Sequence, residues 1–175
     1  MTEPAQRRVR GDLDRRFTSL ASGELACCVL FPLVFFGVAG LPLTAANVVG
    51  GSTLVILLLQ GAAYWLVKRR SIRRALAARV WTAFRALRII NPVVLLGSGL
   101  VIAMQLTHPF QDWLLGLACW VLAVLEHVNY FHWQLSYDNR RDLAWLREHG
   151  IKRSALSRDL TRTWRTTGRG RLEQG

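Results

Sequence analysis

Acidic residues are scarce in this chain: 11 Asp and Glu stand against 23 Lys and Arg, for a formal net charge of +12. Cysteine is scarcer still, at three in 175 residues. Cys27 and Cys28 are adjacent and Cys119 is remote, so there is no metal-type spacing and no framework of a secreted disulfide scaffold. All three fall in apolar runs, where a thiol is a small, inert packing residue. Also missing are a Gly-rich phosphate cradle, His-Glu-x-x-His, Cys-x-x-Cys and Gly-x-Ser-x-Gly. No metal and no cofactor is expected. A nucleic-acid-binding motif is lacking too, and the basic groups are spread over three segments; most of this charge reads as solvated and topology-setting, and its functional reading is contact with anionic inner-leaflet lipid.

What the chain has in quantity is apolar residues, 51% of the total, gathered in blocks of membrane length. A span needs roughly 20 mostly apolar residues to cross about 30 Å of hydrocarbon. Four blocks qualify, at about residues 25–40, 47–67, 92–106 and 113–133. The sequence therefore predicts an all-α integral membrane protein built as a four-transmembrane-helix bundle. Around the membrane domain, residues 24–133, it places a basic cytoplasmic segment at 1–23, a cytoplasmic helical extension at 134–165 and a disordered tail at 166–175.

The two connections within hairpins, near residues 41–46 and 107–112, hold no Lys or Arg. All 23 cations fall in the N-terminal segment, the middle loop and the C-terminal part. The positive-inside rule then puts the N-terminus, middle loop and C-terminus in the cytoplasm of a multi-pass cell-membrane protein. Uncleaved is the better reading of span one, because its basic lead is long and a second span follows at once.

Local signals add detail. Asn47 reads as the N-cap of span two. Within residues 72–90, Ile72, Leu76, Val80, Ala83, Phe84 and Leu87 share one face, while Arg70, Arg74, Arg85 and Arg88 gather on the other. That pattern predicts an interfacial amphipathic helix with Ser71 as its N-cap and the four arginines on the lipid surface. The alternative is a cytoplasmic helix packed on the tail. Asn91-Pro92 reads as the start of span three. Ala46 with Gly50, Gly99 with Ala103 and Cys119 with Ala123 are small-xxx-small pairs that allow close helix approach, within one chain or between copies.

The stretch 126–138 is the anomaly, because Glu126, His127, Asn129 and Tyr130 enter a helix that is still crossing the bilayer. Ionisable groups are costly there and are functional candidates by default. The fourth helix is predicted to continue to His149, about 37 residues or roughly 55 Å, with Gly150 as its stop. On that ideal helix Glu126, Asn129 and Tyr130 face the bundle, His127 lies on a neighbouring stripe, and His132 is about 140° from His127, too far round to share an ion.

Glu126 has three readings. It is a buried carboxyl hydrogen-bonded to Gln60, Asn91, Ser98 or an arginine; or part of a polar pocket with His127, Asn129 and Tyr130 that binds or acts on a lipid headgroup; or a step on an ion or proton path through an oligomer. The favoured function is non-enzymatic: a structural, oligomeric or partner-binding membrane component. Its partners would be the phospholipid bilayer, anionic lipids, and a second copy or another membrane protein. A headgroup-binding protein or membrane enzyme, and a small ion- or proton-coupled channel or transporter, are the alternatives.

Overall fold

The computed structural model describes residues 3–72, 74, 76–135, 147, 148 and 150–162. These form helices and no strand, in the order α1 (Glu3–Pro32), a π-helical turn (Leu33–Val38), α2 (Ala45–Ser71), α3 (Ala78–Ala103), a 3-10 turn (Phe110–Asp112) and α4 (Leu114–Phe131). One more helix, α5, covers residues 155–162. Four helices are long and apolar enough to cross a membrane: Arg7–Val38, Ala45–Ser71, Ala78–Ala103 and Leu114–Phe131. A helical membrane protein is the class that this pattern supports.

The chain divides into two compact units. The first comprises the described residues of Met1–Ala77 and Val94–Ala123. Here the N-terminal basic segment is helical and continuous with span one. Asp14 of α1 accepts a forked pair of bonds from Arg69 of α2, at 2.8 and 3.0 Å, and Phe17 stacks on Trp65 with centroids 5.7 Å apart. A half-buried ion pair of this kind adds modest stability, and the planar fork fixes register.

Asn47 is not the N-cap of α2. Thr44 is: its Oγ1 accepts from the Asn47 backbone N–H and donates to the Asp112 carbonyl. Asn47 sits three positions further on with its side chain wholly buried. Its Nδ2 donates to the carbonyls of Pro42 at 2.9 Å and Gln111 at 3.3 Å, and its Oδ1 accepts from Gly116 N at 2.8 Å. This amide ties two chain reversals to the first turn of α4. The helices meet in contact there. A Cβ added to Gly50 would lie 2.1 Å from the Gly116 carbonyl oxygen, and one added to Gly116 would lie 2.2 Å from that of Ala46. The Ala46/Gly50 pair therefore serves packing inside this chain. Gly99 does the same beneath the Trp120 ring, whose Nε1 donates to Leu95 O at 2.8 Å.

The second unit comprises the described residues of Ala78–Val93 and Val124–Gly175. Two expectations are corrected here. No single helix spans 72–90, because residues 76 and 77 are not helical and α3 starts at Ala78 and runs on through Asn91 and Pro92. Pro92 removes one N–H from the ladder, a loss that helices in membranes tolerate. Ser71 closes α2 instead of opening a helix, its Oγ donating to Lys68 O.

Nor does α4 continue to His149. It stops at Phe131, where the N–H groups of His132 and Trp133 both reach back to Val128 O. The chain then runs antiparallel to residues 152–154: Gln134 N donates to Lys152 O at 2.9 Å and Ser154 N to His132 O at 3.1 Å. Residues 136–146, where the extension was expected, and 163–175, with Trp164 and the expected disordered tail, lie outside the described residues. Gly150 does take a positive φ of 73°, the conformation of a glycine stop.

Ser154 joins the returning chain to α4. Its Oγ donates to Tyr130 O and accepts from Ser157 N at 3.1 Å, so one hydroxyl caps α5 and holds the end of α4. Leu156 and Leu160 of α5 are buried, and Arg158 and Arg162 are exposed. Arg85 of α3 reaches the Leu160 carbonyl at 3.5 Å.

Candidate functional site

The polar stretch of α4 lies in the second unit and divides in a way that ideal helix geometry did not anticipate. Asn129 accepts at Oδ1 from Leu135 N at 2.8 Å, so it satisfies a backbone donor just past the helix end. Tyr130 is buried, and its carbonyl takes the Ser154 hydroxyl. The Asn129 amide and the Tyr130 carbonyl thus both bind chain beyond the helix end. Glu126 is part-buried one residue before His127. Asn91 is buried in α3, and Gln60 is part-buried on α2 in the first unit.

His127 is the residue that sequence reasoning underrated. Its side chain is 6% exposed, and both ring nitrogens are buried with no hydrogen-bond partner. One face stacks on Phe131 at 5.0 Å between centroids, interplanar angle 28°. The His132 ring stands edge-on 5.4 Å away. The expected separation of the two imidazoles fails because α4 ends between them, so His132 belongs to a turn and not to the helix. Among the described residues no group of three or more His, Cys, Asp or Glu could hold a metal ion.

A neutral imidazole always carries one N–H donor and one acceptor lone pair. Leaving such groups unmet in a buried place costs about 1–3 kcal/mol each, so a native protein has a reason to keep them. Burial and the nearby Arg88 guanidinium push the His132 imidazole below its usual pKa, so it is neutral at physiological pH. With His127, His132 and Arg88 the site can offer N–H donors and one fixed positive charge, a set suited to an anionic or hydrogen-bond-accepting group.

The expected lipid-surface arginines are dispersed across elements. Arg70 closes α2 and Arg74 follows it, both exposed, while Arg88 is exposed on α3 and Arg85 is part-buried against α5. No protein-family model, curated protein or solved structure matches this chain.

Proposed function

We propose that the chain is a non-enzymatic, multi-pass component of the cell membrane, with both termini cytoplasmic, that holds anionic phospholipid of the inner leaflet at its basic segments. The observation that carries this reading is the partition of charge: 23 cations in three segments and none in the two short hairpin connections. Each Lys or Arg near an anionic surface contributes about 1 kcal/mol. Support also comes from the exposure of Arg70, Arg74, Arg79 and Arg88. The bond from Arg85 to Leu160 favours a cytoplasmic helix end packed on the tail over one lying flat on the bilayer.

The test is native mass spectrometry of the full chain released from bilayers of equal phosphatidylglycerol and phosphatidylcholine. Phosphatidylglycerol is expected to be retained preferentially, and the preference should vanish when Arg70, Arg74, Arg79 and Arg88 are changed to Gln. Equal retention of the two lipids by the unaltered protein would contradict the proposal.

A second reading, a headgroup- or proton-handling site, is favoured by one observation, the unpartnered nitrogens of His127. Its centre moves from Glu126, Asn129 and Tyr130 to His127. If His127→Leu changed neither lipid retention nor pH-driven flux in vesicles, this reading would fall.

A further inference from the structure

The first unit contains a partly open cavity of about 380 Å³ beside the hairpin of α1 and α2. One wall is Phe31, Phe35 and Phe36, the facing wall includes Gly51 and Ser52, and the buried Cys119 thiol lines it from α4. Apart from Ser52 the lining is apolar or glycine. All of the lining residues except Leu43 lie within helices long and apolar enough to cross a membrane.

The wall is made by an unusual piece of backbone. After Pro32 the α-helix gives way to six residues of π-helix, Leu33–Val38, closed by Ala39 N to Val34 O at 2.8 Å, a five-residue step. Such widened turns are rare and recur at functional sites. This one carries Phe35 and Phe36, and Phe35 also meets Phe31 at 6.0 Å between centroids. Opposite, Gly51 keeps the space open, since even an added Cβ there would be 3.9 Å from Phe36.

We infer that this cavity is a binding site for one acyl chain of a membrane phospholipid. At this depth the surrounding solvent is hydrocarbon, and an empty apolar space there forfeits dispersion contacts on every side. The volume lies near the lower end of small-ligand sites, roughly 300–1,000 Å³. A helix from a second copy, about 10–12 Å across with its side chains, is too wide to enter. A single flexible chain fits, and its headgroup takes no part in recognition. The site is therefore independent of the anionic-lipid reading above.

The full chain in phosphatidylcholine nanodiscs, doped with phosphatidylcholine bearing a diazirine on one acyl chain, tests this inference. On irradiation, adducts should concentrate on residues 31–36 and 51–56 and saturate on competition with unlabelled phosphatidylcholine. Gly51→Leu, which fills the space with at least two methylenes' worth of carbon, should cut labelling about tenfold, while Gly51→Ala should leave it unchanged. Labelling equally strong at the exposed Val93 and Leu96, without saturation, would mean ordinary surrounding lipid and would overturn the inference. A crosslinked dimer in place of lipid adducts would overturn it too. The saturation measurement uses the unaltered protein and decides the matter even if Gly51→Leu fails to fold.

Discussion

Asn47 and His127 are both polar, both buried in helices of membrane length, and held in opposite ways. Asn47 has three side-chain bonds, to Pro42, Gln111 and Gly116, and its own N–H is met by Thr44. His127 is packed by rings, with neither nitrogen bonded. In an apolar surrounding the first arrangement is a lock: each bond contributes about 0.6 kcal/mol, at most about 1.7, and together they fix which turns meet. The second arrangement leaves a desolvation cost in place. Burial of a polar group in a span is therefore ambiguous until its partners are counted. The same polar chemistry builds architecture at one residue and leaves two buried ring nitrogens unbonded at the other.

Predictions that sharpen this contrast begin at the lock. Gly116→Ala drives a Cβ against backbone that cannot yield, so a loss of about 3 kcal/mol is expected in reversible unfolding in mild detergent. An alanine variant as stable as the parent would mean that α2 and α4 do not touch there.

Ser154→Ala removes a helix cap together with the bond to Tyr130. It should cost about 1 kcal/mol and speed hydrogen exchange in residues 155–162, leaving Gly116 as protected as before.

The smallest effect is one of pH, in the unit that contains His127. The His132 pKa lies below its ordinary value of 6.5 in the folded protein, so the unfolded chain binds the proton more readily. Stability is then undiminished above about pH 6.5 and falls as the pH drops below it. Melting temperatures at pH 7.5 and 5.5 should differ less in Arg88→Gln than in the parent, because removing the cation beside His132 brings its folded pKa closer to the unfolded one. An unaltered difference would count against the cation's role.

The four apolar spans were legible because hydropathy acts over long stretches. Blocks of apolar residues do not depend on any single contact. What escaped was decided by distant partners. Asn47 looked like a cap because the Gly116 N–H that it meets is 69 residues away. Asn91-Pro92 looked like a helix start, yet α3 absorbs the one missing bond and continues. The unbroken local pattern by itself predicts a longer fourth helix. The returning segment 152–154 instead supplies hydrogen bonds to residues 132 and 134, which end the helix. That ending brings His132 beside His127, and an ideal helix could only keep them apart. The residue bearing the strongest anomaly stood one place after Glu126, the residue that charge alone singles out.

The most direct measurement is the unfolding free energy of Asn47→Leu and His127→Leu, side by side in the same detergent. Asn47→Leu should lose about 2 kcal/mol, since it strands the Gly116 donor and two carbonyls. His127→Leu should change stability by no more than about 1 kcal/mol in either direction, because it exchanges a stacked ring for relief from two unmet nitrogens. Equal losses at the two positions would contradict the account and give His127 an architectural role as well.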